Sequence, residues 1–467
     1  MNINRVIDTD SYKVSHYLQY PPNTTLVHSY LESRGSEREY TETVFFGLQY
    51  ILQNYFANPI TQNEVAEAAA IVPAHGLTFN QAGWQLLLEK HDGRLPLRIR
   101  AVPEGSIVPL KNALMTVENT DPEFYWLTSW FETQLMRVWY PITVATQSFY
   151  IKRDIYKFLQ ETADEPDAEI AFKLHDFGSR GVSSQESAAI GGASHLVSFM
   201  GSDTMAALLL LRKFYHAEIA GFSIPAAEHS TITSWGCDGE IEAYRNMLRQ
   251  FAKPGKIVAV VSDSWNIYNA VEKIWGEQLR QEVIDSGATV VIRPDSGEPV
   301  AVVTRVAHLL AQKFGTTTNS KNYRVLKNVR IIQGDGVNPA SIREILQALK
   351  SNGFSASNIT FGMGGALLQK VNRDTLEFAY KCSAIVVDGK LRDVYKQPIT
   401  DAAKMSKRGR LDLVRENDEF KTVRLKDAET IEAPHSALQT VFENGKVLVD
   451  ETFEAIRQRA DARLQPN

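Results

Sequence analysis

Along residues 169–365, short apolar runs recur with long amphipathic stretches between them: EIAFKLHDFG, AEIAGFSIPAAEH, KIVAVVSDS, ATVVIRPDSG, VRIIQGDG and NITFGMGG. Near-continuous apolar runs of this length predict strands buried on both faces, and the intervening spacing predicts helices. In NPASIREILQALKSNG, Asn338 serves as cap, Pro339 opens the first turn and Gly353 stops the helix. Ser183 to Glu186 has the form of a capping box. Strand, helix, strand, repeated six times, predicts parallel pairing, in either a doubly wound sheet or a closed barrel. All six strands end in polar residues or glycine, and a barrel assembles its site from many strand ends, whereas an open sheet concentrates ligand groups at one switch point. The pattern therefore favours a barrel.

The flanking segments follow another pattern. FGLQYILQNYF (46–56) has helical spacing, and residues 96–119 read as strands broken by Pro and Gly turns. ETADEPDAE (161–169) is acidic, poor in apolar residues, and expected to be a linker. From about residue 377 strand-like sequence returns and is expected to fold back on the N-terminal part. The expected fold class is α/β: an irregular (β/α) barrel over 166–376, packed with an α/β domain of residues 1–165 completed by 377–467.

Composition narrows the function. Fifty basic and fifty-five acidic residues give a formal charge of -5, without the basic excess of a nucleic-acid binder. Two cysteines, Cys237 and Cys382, are too few for a four-cysteine zinc site and fit a reducing compartment. The longest apolar run, MAALLLL (205–211), falls short of the ~20 residues of a membrane span. The acidic start is unlike a signal peptide. A soluble, cytoplasmic enzyme is expected.

The strand ends carry the candidate chemistry. QGDG and FGMGG belong to the last two units, where barrels often bind phosphate on bare backbone N–H groups, although a tight turn also uses glycine. Asp335, held between glycines, could accept from ribose hydroxyls. RPDSG is a good turn sequence, yet Arg293 directly follows an apolar run, where a guanidinium suits a phosphate. HDFGSRG contains the kinase-like DFG, but no glycine-rich loop, V-A-I-K lysine or H-R-D accompanies it. What remains there is Phe177 and a second cation, Arg180. His229 is flanked by Glu228 and hydroxyl residues, with Asp263 as a candidate orienter. The basic run KMSKRGR (404–410) reads as a solvated loop. A Schiff-base lysine, which an aldolase-type barrel would carry, is missing from the six strand ends. These residues imply a phosphorylated sugar or nucleotide as substrate and leave the reaction open.

TDSYKVSHYLQYPPNT (9–24), KLHDFGSRGVSSQESAAIGG (173–192), PAAEHSTITSWG (225–236), VVSDSWNIYNA, IRPDSGEP, IQGDGV and FGMGGALLQKVNRD together resemble the nicotinamide phosphoribosyltransferase family. The resemblance runs in order from the N-terminus to about residue 410. It implies a type II phosphoribosyltransferase, a homodimer with active sites at the interface. That enzyme joins nicotinamide to phosphoribosyl pyrophosphate with Mg²⁺, and couples ATP hydrolysis through a phosphohistidine. By the same resemblance His229 is the phosphorylated residue, with Glu228 and Asp263 orienting it. Phe177 and the partner subunit's Tyr12 would stack on the pyridine, and Asp203 would accept from the carboxamide. Arg180 and Arg293 would meet phosphate groups. Asp295, Gly334, Asp335, Gly364, Gly365 and Arg373 would contact ribose and phosphates. Asp10, Arg34, Lys381, Lys396 and Lys404 would line the substrate and nucleotide region, Asp10 and Arg34 from across the interface. The chain departs from the family pattern at Ala379, where a serine is expected, so one hydroxyl contact to phosphate is absent. The resemblance leaves the metal ligands unassigned. Nicotinate is the alternative substrate.

Overall fold

The computed structural model describes residues 4–400, 405–417, 419–427 and 429–462. Six parallel strands lie in the order Gly201–Ser202, Leu174–Asp176, Ile359–Met363, Val329–Gln333, Thr289–Arg293 and Ile257–Val261. Apart from the exposed Ile257, their Val, Ile and Phe side chains are buried on both faces, as the continuous apolar runs predicted. The two edges of this sheet are then joined through residues 222–227. Phe222 bridges to Gly201 and Ala226 to Ala259. The Ser202 amide donates to the Phe222 carbonyl (2.9 Å), and the Ala259 amide to that of Pro225 (2.9 Å). The ring is therefore closed, by single bridges on one side.

Two expectations change here. AEIAGFSIPAAEH closes the ring without forming a regular strand, because Pro225 has no N–H to continue a ladder. Gly201–Ser202, which no apolar run announced, supplies the sixth strand.

Helices Gln185–His195, Met205–Phe214, Glu240–Phe251, Pro299–Phe314 and Pro339–Ser351 surround the strands. Asn338 caps the last of these, its side-chain oxygen accepting from the amides of Ala340 (3.0 Å) and Ser341 (3.2 Å). At the first, the cap is Ser184 and not Ser183, accepting from the Ser187 amide. Residues 161–169 do not hang as a free linker. They finish the helix Trp139–Thr162 and begin Pro166–Ile170, and Asp164 accepts from the Ser320 hydroxyl (2.6 Å).

Residues on either side of the barrel share an antiparallel sheet of seven strands. Its order is Lys390–Asp393, Phe378–Val387, Thr24–Ser33, Ala113–Asn119, Leu97–Ala101, Gln439–Glu443 and Lys446–Val447. The strand-like sequence after residue 377 thus returns to the N-terminal part. Residues 46–56 form Leu48–Ile51 and the wider π-helical turn Leu52–Phe56. One hydrophobic cluster gathers around Trp84 and Trp130, and another around Trp275, which stacks on Tyr244 at 4.7 Å. No described helix is long and apolar enough to cross a membrane.

Glu104 ties the ends of this layer together. Its carboxylate accepts from the Gln49 amide (2.6 Å), and its backbone carbonyl accepts from Arg459 of the C-terminal helix Phe453–Asp461. Burial pushes the carboxyl from 4.5 up to about 7, against the Gln49 and Gly47 amides that favour the anion. An acid raised in the folded state stabilises the fold at low pH and loses that contribution as pH rises from 4.5 to 7, by about 3 kcal/mol in all. Thermal melts should therefore fall across that window for the native chain and fall less for Glu104→Gln. Equal slopes would show that Glu104 is not the group responsible.

Candidate active site

Short segments after the strands bring the titratable groups to one mouth of the barrel. His229 opens the helix His229–Thr233, whose cap is Glu228. This accounts for the hydroxyls that follow it. Thr231 Oγ1 accepts from the Glu228 amide (3.3 Å), and the Ser230 hydroxyl donates to the Glu228 carboxylate. Glu228 therefore secures its own turn, with Arg180 at 3.9 Å, and no hydrogen bond joins it to the imidazole. Arg180 itself projects into solvent, its side chain 89% exposed.

The imidazole lies between two other carboxylates. Its Nε2 is 2.9 Å from Asp263 Oδ1, and its Nδ1 is 4.0 Å from Asp295 Oδ2. A carboxylate can only accept, so the Asp263 contact calls for a proton on Nε2, and in the neutral ring the lone pair is then on Nδ1. Asp263 lies just beyond the strand Ile257–Val261 and is only 3% exposed. Its second oxygen accepts from the Ser296 hydroxyl. Arg293 donates to Asp295 Oδ1 through Nε (3.0 Å) and Nη2 (2.8 Å). Burial pushes the Asp295 carboxyl up, and the Arg293 charge opposes this. A Cβ on Gly334 would lie 3.0 Å from both partners, so glycine there lets the ion pair rest against the backbone.

Arg293 also sits over the Phe177 ring, its Cζ 5.4 Å from the centroid. Phe177 is held by its amide, which donates to the Met363 carbonyl (3.0 Å), and the ring presses on Gly362. Beneath it Asp176 accepts from the Gly178 amide (2.7 Å), and burial raises this carboxyl to about 6. Beside the ring a cavity of about 420 Å³ runs from Phe177 and Asp203 at the C-terminal strand ends to Ile257 and Thr360 near the opposite ends. Its walls are mostly apolar. Asp203 caps no helix. Its carboxylate accepts from the Ser223 hydroxyl (2.6 Å) on the cavity wall. His175 lines the same space, and burial lowers its basicity.

A second cavity, of about 410 Å³, lies elsewhere on the chain. Asp10, Tyr12, Arg34, Arg373, Lys381 and Lys396 line it, with the buried Ala379 in its wall. Burial holds the Lys381 amine below its ordinary value, against the pull of Glu132, and Lys396 lowers it further. Neither Phe177 nor His229 lines this cavity. Most of the residues singled out in the sequence thus fall into two clusters, one at the barrel mouth and one around this cavity. Gly364 and Gly365 start the helix Gly365–Leu368 beside Gly181, and Asp335 is exposed on its loop with its carbonyl held by Gln333 Nε2 (2.7 Å). Lys404 lies outside the described residues. No cluster of three or more metal-ligating side chains occurs among the described residues.

Ser296, Gly362 and Ser223 were not singled out in the sequence, whereas His175 counted only as a polar strand end. RPDSG read as a turn concealed the serine's direction, and in FGMGG the later two glycines drew attention from the first.

The nicotinate phosphoribosyltransferase family matches residues 172–446, and the nicotinamide phosphoribosyltransferase N-terminal domain matches residues 4–99. A nicotinamide phosphoribosyltransferase of Xanthomonas campestris pv. campestris is 55% identical, covering 98% of both chains. One from Acinetobacter baylyi is 32% identical over 99% of this chain and 98% of its own. In fold, the chain resembles nicotinate-nucleotide pyrophosphorylase of Pyrococcus furiosus (TM-score 0.63, 16% identity, 97% of this chain and 94% of that one). It also resembles human nicotinic acid phosphoribosyltransferase (TM-score 0.52, 15% identity, 98% and 93%).

Proposed function

The chain belongs to the nicotinamide phosphoribosyltransferase family of enzymes, and from that premise we propose that it transfers phosphoribosyl from phosphoribosyl pyrophosphate to nicotinamide, forming nicotinamide mononucleotide and pyrophosphate in NAD salvage, with ATP hydrolysis coupled through a phosphohistidine at His229. The observation that carries the substrate choice is Asp203, a carboxylate on the wall of the apolar cavity that begins at the Phe177 ring. The pyridine stacks on Phe177, and its carboxamide NH₂ donates to Asp203. Nicotinate would bring a carboxylate to the same oxygens, and one of the two acids would have to take up a proton.

At the anomeric carbon the bond to pyrophosphate breaks, an oxocarbenium-like centre develops and the pyridine nitrogen attacks. That nitrogen carries no proton, so no general base is needed. Arg293 offsets negative charge on the departing group. Mg²⁺, when bound, neutralises pyrophosphate oxygens, which suit a hard cation that keeps part of its water shell. Asp295, after the strand Thr289–Arg293, and Asp335, after the strand Val329–Gln333, are the carboxylates that would help to hold it.

In the coupled step Nδ1 of His229 attacks the γ-phosphorus of ATP. An N–P bond forms, the bridging P–O bond breaks towards ADP, and the Nε2 proton stays shared with Asp263. The direct contact of Asp263 with Nε2 supports this assignment. The separate cavity lined by Asp10, Tyr12 and Arg34 supports a homodimer in which a second copy brings these groups to the barrel mouth.

The test offers nicotinamide and nicotinate in competition, with phosphoribosyl pyrophosphate and Mg²⁺, with and without ATP. Nicotinamide mononucleotide should dominate and rise with ATP. Asp203→Asn should lower the preference about tenfold, the loss of roughly one charged hydrogen bond. Nicotinate mononucleotide as the main product of the unaltered chain would sink the Asp203 argument.

A further inference from the structure

The end of the strand Thr289–Arg293 and the turn after it direct three side chains to the His229–Asp263 pair and its neighbour. Arg293 braces Asp295, Asp295 faces Nδ1, and Ser296 reaches past both to Asp263. The turn is rigid. Gly297 has φ +89°, where a side chain would be strained, and a Cβ there would meet Val302 Cγ2 at 2.9 Å. The next residue, Glu298, caps the helix Pro299–Phe314 through the amides of Val300 (3.1 Å) and Ala301 (2.7 Å). Ser296 is thus fixed between a strand end and a capped helix.

Asp263 has two acceptor oxygens and two donors. Oδ1 takes the His229 Nε2–H, and Oδ2 takes the Ser296 hydroxyl. With both oxygens engaged, the carboxylate cannot turn about its Cβ–Cγ bond without losing a bond. Were it free to turn, the imidazole proton could pass to Nδ1, which faces a second carboxylate, Asp295. The lone pair would then leave Nδ1. Glu228 precedes the ring with Arg180 beyond it, and Arg293 stands behind Asp295, so among the described residues Asp263 is the charged group in contact with Nε2.

We propose that Ser296 is a positioning residue: by donating to the far oxygen of Asp263 it fixes the proton of His229 on Nε2 and keeps the Nδ1 lone pair available to a phosphoryl group. The phosphoryl part rests on the phosphohistidine reading above, and the tautomer part does not.

The experiment separates the two. Protein labelled with ¹⁵N-histidine, with the His229 signals identified by their loss in His229→Gln, reports the protonated ring nitrogen directly. Phosphoryl incorporation from γ-³²P-ATP is followed in parallel. The unaltered enzyme should show the Nε2–H form. Ser296→Ala should show a mixture of both forms and label about tenfold more slowly, the loss expected for one hydrogen bond to a charged group. Ser296→Thr, which keeps the hydroxyl, should restore both readings to within about twofold of the unaltered enzyme. Ser296 is exposed, so these changes leave the core untouched. A pure Nε2–H form in Ser296→Ala would overturn the proposal. A mixed tautomer in that variant, in an enzyme that takes no label at all, would uphold Ser296 as the positioner and remove the phosphohistidine instead.

Discussion

Gly362→Ala is expected to raise the KM for nicotinamide about a hundredfold, close to 3 kcal/mol of lost binding. A methyl group there would lie 1.9 Å from Phe177 Cε2, 2.3 Å from Cδ2 and 2.6 Å from Cζ. Real atoms do not approach so closely, so the ring must move. Phe177 is pinned by the hydrogen bond from its N–H to the Met363 carbonyl, so the side chain must swing about its own torsions and leave the plane on which a pyridine would stack. Stacking itself accounts for ~0.5–1.5 kcal/mol, and misplaced apolar contact supplies the remainder. Damage to the strand is the competing explanation, and a double-mutant cycle excludes it. With Phe177→Ala already in place the methyl group has nothing to strike, so the double variant should bind nicotinamide no worse than Phe177→Ala alone. An unchanged KM in Gly362→Ala would mean that Phe177 is not the platform.

His229→Gln should abolish ATP stimulation altogether while leaving ATP-independent transfer within about threefold of the unaltered enzyme. The magnitude follows from separating a nucleophile from the groups that bind the pyridine and the sugar. Glutamine is chosen because its amide nitrogen can reproduce the Nε2–H donation to Asp263 and offers no nucleophilic nitrogen in place of Nδ1. Structure around the site is thereby kept and only the covalent step removed. Acid-labile ³²P on the unaltered chain, absent from the variant, is the companion reading. Retained ATP stimulation in the glutamine variant would place the coupled chemistry elsewhere.

The barrel was legible in the sequence because strands covered on both faces must be largely apolar, and four of its six parallel strands carry such runs; Leu174–Asp176 keeps only one apolar residue, since Ile170 of the run before it belongs to the helix Pro166–Ile170. The sixth, Gly201–Ser202, has two small residues and no pattern to read. Pro225 made the closing segment look like a strand while denying it a ladder. In the site, His229, Asp263, Asp295, Arg293 and Phe177 converge as strand-end residues should. Glu228 misled through adjacency: neighbours at the start of a helix point away from one another, and its carboxylate turned to capping. Ser296 and Gly362 act through angle and contact distance, which one-dimensional spacing does not carry. Asp10, Tyr12, Arg34, Lys381 and Lys396 were legible only through resemblance, since nothing local to them announces a role at a mouth they do not line.

The antiparallel sheet shared by the two ends of the chain bears on how the protein is made. Thr24 pairs with Val387 and Ser33 with Phe378, so the strand Thr24–Ser33 leaves the ribosome hundreds of residues ahead of a neighbour that it needs. At ~5–20 residues per second that interval is on the order of tens of seconds. Throughout it one hydrogen-bonding edge stays open, beside side chains destined for the interior, a hazard for pairing with other nascent chains. Expression at lower temperature or with added holdase chaperone should therefore raise the soluble yield more than any change to the barrel itself, and fragments cut before residue 378 should precipitate.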